Sequence, residues 1–193
     1  MKLSTLPPTA RRGALQSLLA LSAASAFCAL AVLPLAAQAH GPTRQKVTET
    51  ITIDAPPAKV WAVIKDFAAL QAWHPAVAES ASDKGNEVGA VRLVKIKGGG
   101  ELVETLDAYD AAAMKYSYRA KNGGALPVTN YTSTLAVKDA GGGKALVEWR
   151  GAFYRGYPNN DPPPDQNDDA AVAAVTGVYQ GGLAQIKKLA EGQ

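Results

Sequence analysis

Residues 89–110, GAVRLVKIKGGGELVETLDAYD, restrict the fold more than any other stretch of the chain. Two runs that alternate apolar and polar residues flank a Lys97-Gly98-Gly99-Gly100 break, the pattern of a β-hairpin whose turn needs positive φ. Folded about Gly98, the hairpin sets Arg92 opposite Glu104, on the face that also carries Val94, Ile96, Leu102 and Leu106. Ionised side chains are seldom buried unless paired, and placing them on an apolar face is costly. Either that face is exposed and the charges mean little, or it lines something and they matter.

The flanking sequence decides between these. Val47 to Ile53 alternates as a first strand. Asp54-Ala55-Pro56-Pro57 then opens a helix, with proline suited to the first turn and Asp54 or its neighbourhood placed to cap free N–H groups. Val60, Ile64 and Phe67 recur at helical spacing, with Trp61 and Val63 broadening the stripe. A second short helix, 68–73, ends at His74 because Pro75 disfavours helical geometry before it. Strands follow at 77–82, 89–96, 101–109, 114–120, 128–138 and 144–154, separated by glycine-, asparagine- and aspartate-rich turns: an antiparallel meander. Residues 156–169, GYPNNDPPPDQNDD, form a proline-rich acidic loop that ends in a helix N-cap. From about Ala170 to Ala190, Val172, Val175, Tyr179, Leu183, Ile186 and Leu189 make one stripe of a long amphipathic helix. Gly177, Gly181 and Gly182 within it point to a close approach, a kink or room for a ligand.

Carrying the pairing outward places Glu104 near Tyr118, Tyr118 near Tyr131, Tyr131 near Phe153 and Leu135 near Trp149. One sheet face then collects Arg92, Val94, Ile96, Leu102, Glu104, Leu106, Tyr116, Tyr118, Tyr131, Leu135, Val147, Trp149 and Phe153. The other collects Lys95, Thr105, Asp107, Lys115, Arg119, Asn130, Thr132, Lys138, Glu148 and Arg150. The first face is the covered one, the C-terminal helix is its cover, and Arg92 and Glu104 lie inside among aromatics.

Residues 1–39 read as a secretory signal peptide, and 40–193 as the folded domain. Lys2, Arg11 and Arg12 supply a positive start, an apolar run extends from Leu15 to Ala37, and Ala37-Gln38-Ala39 is a cleavage site that leaves His40 first. Cleavage there predicts a periplasmic or secreted protein, with no stable membrane insertion afterwards. Arg11-Arg12 hints at twin-arginine export, and Phe27 before Cys28 argues against a lipid anchor. The whole chain carries 20 basic and 17 acidic residues, net +3. Three of the basic residues and none of the acidic ones precede His40, so the remainder is balanced, with nothing to suggest a nucleic-acid surface. The single cysteine also lies in the leader, which leaves the domain without a disulfide, a thiolate nucleophile or a cysteine metal ligand. No nucleophile triad, phosphate loop or metal cluster stands out, and no cofactor is expected.

The order of one strand, two short helices, a six-stranded meander and a long C-terminal helix resembles the α+β helix-grip fold, a curved antiparallel sheet wrapped on that helix. The stretches IDAPPAKVWAVIKDFAALQAWHPAV (53–77), GAVR (89–92), ELVETLDAYD (101–110), YSY (116–118), LPVTNY (126–131), VEWRGAF (147–153) and VYQGGL (178–183) resemble the SRPBCC superfamily. This superfamily includes the START and Bet v 1-like domains, and within it the motifs resemble the polyketide cyclase/dehydrase and lipid transport group. The layout, with a leader, also resembles MxaD, a periplasmic accessory protein of bacterial methanol oxidation thought to act between methanol dehydrogenase and its cytochrome. The loop at 156–169 departs from the compact form expected there. The resemblance implies a cavity between sheet and helix for a small hydrophobic or aromatic molecule, but not one chemistry, since members bind, carry, cyclise or scaffold.

Several residues are candidates for that site. Arg92 with Glu104 is either a charged pair that orients a polar group or acts in acid–base chemistry, or a structural ion pair satisfied by Tyr118 and backbone. Trp73 and His74 fall at the pocket mouth, where His74 is a gate, shuttle or ligand contact, or else a half-exposed histidine before a proline. Tyr118, Tyr131, Trp149, Phe153 and Tyr179 line a pocket or simply fill the core. Binding is expected over catalysis. The alternatives are a cyclase/dehydratase with Glu104 as base and Arg92 or Tyr118 stabilising charge, and an interaction module docking through residues 156–169. His40 offers an amine and an imidazole to copper, but reads as a frayed start. Asp165, Asn167 and Asp169 mimic a calcium loop, yet Ala170 and Thr176 stand where glycine and glutamate are needed, so they read as helix N-terminal charges. Asn130-Tyr131-Thr132 is a glycosylation sequon by pattern alone.

Overall fold

A computed structural model of the chain describes residues 41–192. The leader, its cleavage site and His40 lie outside the described residues.

Strand β1 (Gln45–Ile53) runs into helix α1 (Pro57–Ile64), followed by a 3-10 segment (Phe67–Ala72). Strands β2 (Val77–Ser82), β3 (Val91–Ile96), β4 (Glu101–Asp110), β5 (Lys115–Asn122), β6 (Val128–Gly141) and β7 (Lys144–Arg155) follow as one meander. A short 3-10 turn (Pro164–Gln166) leads into helix α2 (Asp168–Glu191). The seven strands form one antiparallel sheet in the order β1-β7-β6-β5-β4-β3-β2. The helical segments after β1 therefore carry the chain to the far edge, from which it meanders back until β7 meets β1. This is the helix-grip α+β architecture, with α1, the 3-10 segment and α2 on the covered side.

Local chemistry explains most boundaries. Pro57 occupies the first turn of α1, but Pro56 is the cap residue and makes no side-chain cap bond. Asp54 does not cap: its backbone N–H donates to Glu191 at 2.8 Å and its carboxylate faces Lys144. Phe67 is not part of α1, because Asp66 adopts an extended backbone and accepts the Ala68 N–H, which restarts the chain as a 3-10 turn. The β3–β4 turn needs its glycines, since Gly98, Gly99 and Gly100 all have positive φ. Helix α2 starts on Asn167, whose side chain accepts the Ala170 N–H, with Asp168 and Asp169 in the first turn where the helix dipole favours them. It ends on Gly192 in the left-handed conformation.

The buried row of α2 is Ala171, Val175, Tyr179, Leu183, Ile186 and Ala190, with Val172 half-buried. Leu189, expected in the stripe, is exposed, because the step from Ile186 that stays on the buried face reaches Ala190. Every residue assigned to the covered sheet face is buried except Ile96, which is partly so. Register irregularities between Leu106 and Ala108 and between Thr129 and Thr132 interrupt the ladder. Bulges of this kind bend a sheet and raise its twist, which suits one that curves round a helix. The first of them also turns Tyr109 inward, where it stacks with Tyr116 at 6.3 Å.

Candidate functional site

Arg92 and Glu104 are direct partners across β3 and β4. Arg92 Nε and Nη2 both donate to Glu104 Oε2, at 2.9 and 2.6 Å. Arg92 Nη1 donates to the Phe67 carbonyl at 2.7 Å, and the guanidinium lies 3.9 Å from the centre of the Phe67 ring. The Arg92 side chain is 1% exposed and that of Glu104 6%, so the pair is interior. Burial works against the guanidinium charge, but the neighbouring Glu104 carboxylate and the Tyr116 and Tyr118 hydroxyls outweigh it and hold the Arg92 pKa above its ordinary value.

Beside the pair lies a cavity of about 100 Å³. Its lining includes Glu104, Tyr118, Tyr131, Trp149 and His74 among the polar and aromatic residues, and Leu70, Val77, Val94, Leu102, Leu126 and Val178 among the apolar ones. A larger hollow of about 300 Å³ beside Lys46, Thr132 and Arg150 is more open and lies on the outer face of the sheet. Of the residues expected at the site, Arg92 stands behind Glu104, and Trp73, Phe153 and Tyr179 are buried without lining the cavity. Their bulk explains the small volume. Trp149 stacks on Tyr179 at 4.5 Å, Trp73 packs on Trp149 at 5.6 Å, and Phe153 closes on Tyr131 at 6.3 Å.

The far end is tied by hydroxyls. The Tyr179 hydroxyl bonds Tyr131 at 2.8 Å and Ser133 at 2.9 Å, and Trp149 Nε1 donates to Ser133 at 2.9 Å and Tyr118 at 3.2 Å. This network joins α2 to β5, β6 and β7. Gly151 makes the approach possible, since a Cβ there would come 2.2 Å from the Tyr179 hydroxyl. Burial pushes the phenols of Tyr118, Tyr131 and Tyr179 well above their ordinary range, so they act as neutral hydrogen-bonding groups. Ser133 was not picked out from sequence, although it shares strand parity with Tyr131 and Leu135, the signal that could have found it.

His74 is buried, not half-exposed. The Ala76 N–H donates to its Nδ1 at 3.2 Å, which puts the ring proton on Nε2, and Nε2 donates to the Val178 carbonyl of α2 at 3.0 Å. Burial lowers its pKa below 6.5 against the opposing Val178 bond, and Arg92 and Lys97 add to the lowering. The ring occupies a notch made by Gly182: a Cβ there would meet Trp149 Cζ3 at 2.6 Å and His74 Cδ2 at 2.9 Å. Of the three glycines noted in α2, this one provides a close approach, whereas a Cβ on Gly177 would meet nothing within 4 Å.

The proline-rich loop is anchored rather than loose. Arg155, also unforeseen from sequence, is buried and donates to the Tyr157 and Asn159 carbonyls and to Asp168. Asn167 caps α2 instead of joining a cation loop, and among the described residues no group of three His, Cys, Asp or Glu is placed to hold a metal. No described helix is long and apolar enough to cross a membrane.

The model of the polyketide cyclase/dehydrase and lipid transport family matches residues 44–191. The chain belongs to that family. Solved structures of this type align over most of their length. The protein XoxI from Bacillus cereus is 29% identical, with 74% of this chain and 93% of that one covered and a TM-score of 0.63. A protein from Thermobifida fusca is 26% identical, with 75% and 92% covered and a TM-score of 0.60. The Zhui aromatase/cyclase from Streptomyces sp. R1128, at 15% identity, 78% and 93% coverage and a TM-score of 0.59, shares the fold. No curated protein matches the chain in sequence. The SRPBCC, Bet v 1-like placement expected from the motifs holds, and the Arg92–Glu104 pair and the cavity are features of a family member.

Proposed function

We propose that this family member is an exported accessory protein that acts by holding a small, mostly apolar or aromatic molecule between its sheet and α2. The observation that carries the reading is the cavity itself, whose wall is mostly apolar and includes Glu104 and Tyr118. Binding sites of this kind combine an apolar lining with a few polar groups that fix orientation. The neutral phenols and the doubly bonded Arg92–Glu104 pair suit recognition and orientation. Export rests on the leader at 1–39. The resemblance to MxaD supports a finer reading, in which the protein assists methanol dehydrogenase and its cytochrome in the periplasm.

One observation favours a second reading. At about 100 Å³ the cavity is far below the ~300 Å³ typical of ligand pockets, which suits an interaction module docking through residues 156–169. The anchoring of that loop by Arg155 supports a shaped surface there. Native mass spectrometry of the protein purified from its own host separates the two. A small molecule that co-purifies supports the cavity reading. A dehydrogenase or cytochrome on protein without a small molecule supports the second reading and overturns the first.

A further inference from the structure

The cavity is selective in the kind of polar group it accepts. Both short bonds from Arg92 end on Oε2 of Glu104, and Oε1 takes no hydrogen bond among the described residues. The other polar side-chain atoms of the lining have partners. His74 uses both ring nitrogens on backbone groups, Trp149 Nε1 donates to Ser133 and Tyr118, and the Tyr131 hydroxyl is bonded to Tyr179. Tyr118 accepts from Trp149 and its own O–H hydrogen has no acceptor among the described residues, so the lining offers a guest one acceptor, Glu104 Oε1, and one donor, the Tyr118 hydroxyl.

Three properties of the guest follow. It must carry an O–H or N–H donor. Its body must be apolar and compact, because the wall is apolar and the room, about 100 Å³, is less than the ~150 Å³ of an engineered dry cavity that holds benzene. It must also be neutral: the Glu104 charge is already compensated by Arg92, so a buried ammonium would face the guanidinium and lose its hydration without a counter-ion of its own. A hydroxyl can donate to Glu104 and accept from Tyr118, whereas a ketone of the same size leaves Glu104 Oε1 unpaired and a carboxylate meets a like charge. Resting on the reading of the cavity as a binding site, we infer that its ligand class is small neutral alcohols, held through a hydrogen bond from their hydroxyl to Glu104 Oε1.

The test compares propan-2-ol with acetone, which share a three-carbon skeleton that the cavity can hold and differ in donor against acceptor. Each is titrated into 15N-labelled protein and followed by amide chemical shifts. Propan-2-ol should bind with shifts centred on Val94, Leu102, Glu104 and Val178, and with an affinity roughly tenfold or more above that of the ketone, as expected for a hydrogen bond to a charged group. Equal affinity, or tighter binding of the ketone, at those same residues would overturn the donor rule while leaving the cavity a binding site. If neither compound moves those residues, both the donor rule and the cavity reading fail.

Discussion

Gly182 on α2 and His74 before β2 fit together as notch and ring: the glycine lacks the one carbon that would strike the imidazole at 2.9 Å and Trp149 at 2.6 Å. Helix propensity alone would make Gly182→Ala stabilising by up to ~1 kcal/mol. Overpacking against two rings held by other contacts should reverse that sign and cost about 1–3 kcal/mol. Gly177→Ala is the matched control, since its Cβ enters open space, and it should gain about 0.4–1 kcal/mol. Urea unfolding of both variants measures the contrast.

The His74 contact has a pH signature. Its folded pKa lies below 6.5 because burial disfavours the imidazolium, so the unfolded chain binds the proton first as pH falls. Stability from this group is complete above pH 6.5 and is lost as pH drops through 6.5 toward the folded value, with a slope of up to about 1.4 kcal/mol per pH unit. His74→Gln should be less stable than wild type at pH 7.5 and should show a shallower decline below 6.5. Unfolding free energies measured across that range check both.

Arg92 and Glu104 should behave as a buried pair. Arg92→Ala or Glu104→Ala alone leaves an uncompensated interior charge and should cost about 3–5 kcal/mol. Arg92→Met combined with Glu104→Leu should recover much of the loss. If the single variants each lost less than about 1 kcal/mol, as exposed ion pairs do, the interior assignment would be wrong.

The hydroxyl network makes a separate prediction. Tyr179→Phe removes the bonds to Tyr131 and Ser133 and leaves buried polar groups without a partner, at about 1–3 kcal/mol. The readout is thermal unfolding, with Tyr131→Phe expected to cost less because it breaks only the bond to Tyr179 while the Tyr179–Ser133 link remains.

The sequence carried the sheet faces better than the registers. The pairs Arg92–Glu104 and Leu135–Trp149 lie opposite one another as the turn residues required. Tyr118, however, pairs with Leu106 and Ser133 rather than with Glu104 and Tyr131. Each connection centres one residue later than expected, which moves the partner of Tyr118 by two, and the β5–β6 ladder itself runs without irregularity. Residues displaced by two keep their side, which is why Tyr118 and Tyr131 are inside all the same, 6.1 Å apart. The cavity was harder to read. Strand parity says which side chains face inward, but not how Trp73, Trp149 and Tyr179 divide the space, and that division leaves about 100 Å³.

The central claim is that this cavity is where the protein holds its ligand, and Val178 gives the most direct measurement. It lines the cavity from α2 and is only partly buried, so Val178→Phe can fill the space with modest cost to folding. Wild type and this variant, purified side by side from the native host and weighed by native mass spectrometry, should differ: a small-molecule adduct on the wild type, and none on the variant, with circular dichroism alike for both. The same adduct on both proteins, or no adduct on either, would contradict the account.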